Sequence, residues 1–214
     1  MRLQNKVVIV TGGTSGIGAA ITRAVIREGG QVLVHGINEA EGIALTSELG
    51  AKSHLCIADL KDQSAPEKIV QSCIAQFGRI DGIVNNAAVI KNANIKSITM
   101  EHYQEILQVN LTSALFLFKA AYEELKKNSG SVLNIGSINA YAGESSLLAY
   151  SIAKVDCRQC HEIWRMLTAL MESELTSLIL VGCSPSVKRN IKSQVEWNPD
   201  GHSGYLVPIF HSVP

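Results

Sequence analysis

A chain of 214 residues, 46% hydrophobic and 18% charged, is long enough for one domain with a sizeable core and too apolar for a disordered segment. Nineteen basic residues balance nineteen acidic ones, which removes the electrostatic case for a nucleic acid or an anionic membrane as partner. No apolar run approaches the ~20 residues of a membrane span, so no membrane partner is expected.

Val7-Val8-Ile9-Val10 is a continuous apolar run of the kind found in a buried parallel strand. It feeds TGGTSGIG, where Gly12, Gly16 and Gly18 are spaced for a turn that lets backbone N–H groups approach a pyrophosphate. Helical periodicity follows from Ile17 to Glu28, so the turn lies between a strand and a helix N-terminus, which favours an anion. The same glycines can make a tight turn with no ligand; their context favours a dinucleotide. Gln31 to His35 reads as a second strand, whose end usually meets the adenosine ribose. An acid there holds a 2′-hydroxyl, and a nearby Arg accommodates a 2′-phosphate. His35-Gly36-Ile37-Asn38 offers neither. The missing acid leans slightly towards NADP, the missing Arg removes the positive argument, and the cofactor is written NAD(P).

Glu39 to Leu49 is a helix and His54 to Ile57 a strand ending in Ala58-Asp59-Leu60. Asp59 could meet an adenine edge or cap the next element. Pro66 to Phe77 is a helix opened by Pro and closed by Gly78. Ile80 to Val84 is the fourth strand, followed by Asn85-Asn86-Ala87-Ala88, where small residues admit a flat ligand and Asn side chains can tie strands together. Met100 to Lys127 is one long amphipathic helix with Asn110 among apolar residues, and Ser131 to Ile135 is the fifth strand. This alternation predicts an α/β fold, a doubly wound parallel sheet of the Rossmann type. The N-terminus MRLQNKVVIV lacks the pattern of a secretory signal, and five cysteines without one suggest free thiols and a cytoplasmic location.

The stretch SINAYAGESSLLAYSIAK, residues 137–154, carries the chemistry. Tyr150 and Lys154 stand four apart, so on a helix they share one face. An ammonium beside a phenol favours the phenolate, which tunes a proton donor and acceptor. Ser137, at the end of the apolar run of the fifth strand, would offer a hydroxyl to a substrate oxygen.

Together these pieces resemble the short-chain dehydrogenase/reductase family over residues 1–154: TGGTSGIG at 11–18, ADL at 58–60, NNAA at 85–88, VN at 109–110, GS at 136–137 and YSIAK at 150–154. The resemblance implies an enzyme that interconverts a small-molecule alcohol and a carbonyl with NAD(P). Tyr150 would be the general acid/base, and Lys154 would favour its phenolate and hold the nicotinamide ribose. Ser137 would hydrogen-bond the substrate oxygen, and Asn110 would place a relay water behind Lys154. Gly12, Thr14, Ser15, Gly16, Ile17 and Gly18 would cradle the dinucleotide, with Asp59 and Leu60 at the adenine and Asn86 and Ala87 near the adenosine ribose. The family often pairs through the Met100–Lys127 helix and the helix from Tyr150, so a homo-oligomer is open.

After Lys154 the family's pattern stops. Read from the third base of each codon, however, Met171 to Thr176 permits Gly-Ile-Arg-Val-Asn, and the codons through Val181 permit Val-Val-Asn-Pro-Gly, both family-like. Residues from about Val155 onward are therefore expected to be translated out of frame. Cys157-Arg158-Gln159-Cys160-His161 matches a haem-attachment pattern, but it lies in that segment and this N-terminus offers no export route, so no haem, zinc or other metal is expected. Val155 to Met171 could extend the Tyr150 helix, and Leu175 to Val181 could fill the sixth-strand position. The expected domain is 1–182, with 183–214 an irregular tail lacking the family's substrate lid and last strand. A dinucleotide-binding protein without turnover, or an inactive truncated product, is the alternative.

Overall fold

The computed structural model describes residues 1–156, 176–181 and 207–208. Val7–Val10 forms β1 with all four side chains buried, as an apolar strand covered on both faces requires. It pairs in parallel with β2 (Gln31–Gly36) on one side and β4 (Gly82–Asn85) on the other. Beyond β2 lies β3 (Ser53–Ile57), and beyond β4 lie β5 (Ser131–Ser137), β6 (Thr176–Val181) and β7 (Val207–Pro208). The described strands make one seven-stranded sheet, parallel through β6 with β7 antiparallel at its edge. The order β3-β2-β1-β4-β5-β6 is the doubly wound order expected from the sequence, and it reverses direction between β1 and β4.

Helices cover the faces, among the described residues α1 (Gly16–Arg27), α2 (Glu39–Leu49), α3 (Ala65–Phe77), α4 (Met100–Leu107) and α5 (Ser113–Lys127). Alternation along β1 divides the core. Val7 and Ile9 point into a layer with Ile69 of α3 and Leu117 and Leu125 of α5. Val8 and Val10 point into a layer with Val25 of α1 and Leu45 of α2. A further helix, residues 148–156, packs through Ala149, Tyr150 and Ala153 against Ile106 of α4. No helix among the described residues is long and apolar enough to cross a membrane.

Three expectations change. The single helix Met100–Lys127 is two, joined by a π-helical turn at Gln108–Thr112. The apolar periodicity continues through the turn, so the pattern alone could not show it; π turns admit one extra residue and recur at functional sites. The fourth strand starts at Gly82 rather than Ile80. Asp81 donates its N–H to Val7 O (2.8 Å), while its carboxylate turns into an ionic cluster with Lys6 (3.0 Å) and Arg79 (2.6 Å). In the C-terminal part, β6 takes the sixth position, running from Val132↔Thr176 to Ser137↔Val181. Against the expectation of a tail without a strand, Val207–Pro208 forms β7 opposite Ile179 and Leu180. The open edge of β6 presents unpaired backbone groups that an extended segment can meet. The helical extension beyond 156, the Cys157–His161 pattern and most of the 183–214 tail lie outside the described residues.

Candidate active site

The glycine turn leaves β1 where the strand order reverses. Gly12 (φ +59°) and Gly16 (φ +52°) occupy the left-handed region, where a side chain is strained. At Gly18 a Cβ would lie 1.9 Å from Gly12 O, so α1 can begin against its own turn only without a side chain there. Ser15, the residue before α1, makes no side-chain cap, and the first turn holds no acid. Its first N–H groups are thus left to an anion. Ser15, Gly16 and Ile17 are exposed. This uncapped, glycine-lined turn fits the pyrophosphate of a dinucleotide.

Two buried or half-buried polar groups hold the turn against β4. Thr11 Oγ1 donates to Val84 O (3.3 Å) and accepts from the N–H groups of Asn86 (3.0 Å) and Ala87 (3.1 Å). Asn86 Nδ2 donates to both Thr11 O and Gly12 O at 3.0 Å. Asn86 therefore straps the loop, and Ala87 approaches it so closely that a Cβ at Gly12 would lie 3.0 Å from Ala87 Cα. Thr14 packs over Gly36, where a Cβ would lie 2.5 Å from Thr14 Cγ2. The strand-tying role expected of this asparagine pair falls to Asn85, whose Nδ2 donates to Asn134 Oδ1 of β5 (2.8 Å).

The adenine-side residues divide. Asp59 accepts from Lys61 N (3.0 Å) and pairs with Lys61 Nζ (3.3 Å), so it shapes the loop after β3 while its side chain stays 51% exposed. Leu60 buries its side chain in the core, which leaves only its backbone for a ligand, and its carbonyl accepts from Gln108 Nε2 (3.2 Å).

At the other end of the crevice β5 ends on Ser137, which is buried; its Oγ accepts from Asn139 N (3.2 Å) and so caps the short turn Ile138–Ala140. That bond uses a lone pair and leaves the hydroxyl proton to donate. Tyr150 and Lys154 are both buried on the helix 148–156. Lys154 Nζ donates to Ile135 O (2.9 Å), two residues before Ser137, and lies 5.7 Å from the centre of the Tyr150 ring. The ammonium is thereby fixed between β5 and the phenol, which joins three of the four catalytic candidates at one strand end.

Asn110, the fourth, is buried in the π turn with its amide committed to Val89: Nδ2 donates to Val89 O (2.8 Å) and Oδ1 accepts from Val89 N (2.7 Å). Its side chain thus reaches the loop after β4. That loop in turn meets the approach to Tyr150, since Ala93 N donates to Ser146 O (2.8 Å) and Ala93 bridges to Leu147. Sequence reasoning missed Thr11, the Val89 loop and His35; a Thr just after, or a His within, an apolar strand was the available signal. Among the described residues no group of three His, Cys, Asp or Glu side chains could hold a metal ion.

Residues 6–179 match the family model described as short chain dehydrogenase. The chain belongs to the short-chain dehydrogenase family. The match continues past the last quoted motif at Lys154 and takes in the first part of β6. Among its relatives, short-chain dehydrogenase/reductase FrzI of Cladobotryum sp is 35% identical over 76% of this chain and 64% of its own length. L-fucose dehydrogenase of Mus musculus is 36% identical over 72% of this chain and 56% of its own. Galactitol 2-dehydrogenase of Agrobacterium fabrum is 31% identical over 72% of this chain and 61% of its own. The chain thus spans less than two thirds of the length of these relatives. A blue fluorescent protein from a metagenomic library, solved in complex with NADPH, superposes with a TM-score of 0.75 at 26% identity, over 80% of this chain and 72% of the other.

Proposed function

We propose that this chain is an NAD(P)-dependent oxidoreductase that interconverts an alcohol and a carbonyl, with Tyr150 as general acid/base. The observation that carries the reading is the placement of Lys154, held on Ile135 O beside the Tyr150 ring and two residues from Ser137. The nicotinamide, when bound, supplies or accepts the hydride. Ser137 donates its free hydroxyl proton to the substrate oxygen and orients it. Tyr150 gives a proton to that oxygen in reduction and removes one from the alcohol in oxidation. Lys154 favours the phenolate through its charge and holds the ribose. Asn110, in the π turn, places the water that carries protons past Lys154.

For the cofactor, the turn from Gly12 to Gly18 takes the pyrophosphate, with Ser15, Gly16 and Ile17 at its open face. Asp59 and the backbone of Leu60 flank the adenine, and Asn86 and Ala87 close the ribose side. The lack of an acid at His35–Asn38 favours NADP slightly. Relatives named for L-fucose and galactitol make hydroxylated carbohydrates the first substrates to try, and the protein acts in the cytoplasm on such small molecules. The domain runs to about residue 182, with Val207–Pro208 returning to the edge of its sheet.

A second reading, dinucleotide binding without turnover, is favoured by the family match ending at residue 179. Titrating purified protein with NADH and NADPH, then assaying polyols and simple ketones, separates the two. Binding with turnover supports the enzyme; binding without turnover supports the second reading; no binding by folded protein overturns both.

A further inference from the structure

His35, the fifth residue of β2, is 1% exposed, and both ring nitrogens are engaged. Nδ1 faces the N–H of Gly12 (3.3 Å) and Nε2 faces the carbonyl of Ala58 (3.0 Å). A backbone N–H can only donate and a carbonyl can only accept. One form of the ring satisfies both: neutral, with its proton on Nε2 donated to Ala58 O and its lone pair on Nδ1 accepting from Gly12. The His35 backbone reinforces the join, since its carbonyl accepts from Gly13 N (2.7 Å) and the next residue, Gly36, accepts from Ala58 N (3.2 Å). The imidazole thus spans from the glycine turn to the loop that carries Asp59. Gly12 itself is gripped from two sides, its N–H by His35 and its carbonyl by Asn86.

We infer that His35 is a positioning residue of the dinucleotide cradle, setting the separation of Gly12 and Ala58 through its neutral Nε2–H form, so that protonation of the ring loosens cofactor binding. Protonation would place a second N–H against Gly12 N–H, two donors in contact with no acceptor between them. The sign follows from the surroundings. Burial holds the His35 pKa below the usual histidine value, against the opposing pull of its bond to Ala58 and of the Asp59 charge. The remaining charges nearby are Lys61, which pairs with Asp59, and Lys68 of α3, which donates to Ile57 O (2.9 Å) one residue before Ala58. The glycine turn and the Asn85-Asn86-Ala87-Ala88 loop bring no ionisable side chain. The unfolded chain takes up a proton on this residue near pH ~6.5 while the folded one does not, so its contribution is whole above that pH and is lost as pH falls towards the folded pKa.

This inference rests on the proposed cofactor reading for its binding arm only. Calorimetric titration with NAD+ (or NADP+ if only that binds), from pH 7.5 down to the lowest pH at which the chain stays folded, should show wild-type affinity holding through pH ~6.5 and falling only as pH drops through the lowered pKa of the folded His35, steepening towards tenfold per pH unit. His35→Asn keeps an acceptor near Nδ1 and cannot titrate, so it should bind within a few-fold of wild type at pH 7.5 and lose that fall. His35→Leu leaves Gly12 N–H without its partner and should bind about tenfold more weakly at pH 7.5, with no fall of its own. Parallel pH profiles for wild type and His35→Asn would overturn the inference, as would unchanged affinity in His35→Leu. If wild type binds no dinucleotide, the cofactor reading fails while the second arm still decides this one. Imidazole 15N shifts of the full chain should report a neutral Nε2–H ring that persists below pH 6.5. The Nδ1–H tautomer, or an ordinary titration there, would refute it even if both variants failed to fold.

Discussion

The two ends of the sheet are held by opposite chemistry. At the amino end a buried carboxylate, Asp81, gathers Lys6, Arg79 and the Val7 N–H (3.0 Å) into an ionic staple joining β1 to β4. At the carboxyl end the same two strands are joined by neutral groups, the Thr11 hydroxyl and the Asn86 amide, and the His35 ring of β2 ties the glycine turn to the loop after β3. The staple has no task but to hold, so it can satisfy its charges internally. In the proposed reading the glycine turn at the carboxyl end leaves its N–H groups for a ligand's phosphates, and a carboxylate beside that turn would repel them. At that end the Lys154 ammonium sits on the Ile135 carbonyl beside the Tyr150 ring.

Breaking the carboxyl end should have the largest effect on activity. Tyr150→Phe should lower turnover by about 10²–10⁴-fold, the usual worth of a general acid/base, and leave dinucleotide affinity within a few-fold. Steady-state kinetics paired with fluorescence titration read both; retained turnover would remove Tyr150 from its role. Gly18→Ala places a methyl on Gly12 O, so dinucleotide affinity should fall by more than tenfold, with an overpacking cost of about 1–3 kcal/mol in urea unfolding. Near-normal affinity in that variant would mean the turn is not the cradle.

Breaking the amino end should do the reverse. Asp81→Ala orphans the Val7 N–H and two cations, and should cost about 2–4 kcal/mol of stability while leaving dinucleotide affinity nearly unchanged at a permissive temperature. Burial alone would raise the Asp81 pKa, but hydrogen bonds from Arg79, the Val7 N–H and Lys6 outweigh it and hold the group below the usual carboxylate value. Its contribution is therefore present above pH ~3.9 and lost as pH falls through the folded pKa. Stability profiles of wild type and Asp81→Asn should diverge above that range and converge below it; parallel profiles would mean that the staple is not ionic. The smallest effect concerns the cofactor. With neither an acid nor an Arg at the end of β2, NADPH should be favoured over NADH by less than about tenfold, a ratio that direct titration gives. Sequencing the transcript across the Lys154 codon tests the out-of-frame reading, which an uninterrupted frame would end.

Local pattern was enough for most of the fold. The four-residue apolar run of β1, the glycines before α1 and the α2 limits at Glu39 and Leu49 are each written in neighbouring residues. The break in the helix after Met100 was not legible, because its cause is an Asn110 amide answering Val89, 21 residues away in the chain. Likewise Asp81 reads as one more residue of the fourth strand until Lys6, Arg79 and Val7 surround it. Leu60 belongs to a family motif, yet its side chain serves the core.

By itself, then, the sequence determined the alternation of strands and helices, the glycine turn and the four-residue spacing that sets Tyr150 and Lys154 on one face. These depend on backbone sterics and periodicity over a few residues. Only the tertiary structure decided which polar groups answer one another: His35 with Gly12 and Ala58, Thr11 with the β4 loop, Lys154 with Ile135. A buried donor or acceptor must find a partner wherever the packed chain supplies one, and that choice is made in space, not along the sequence.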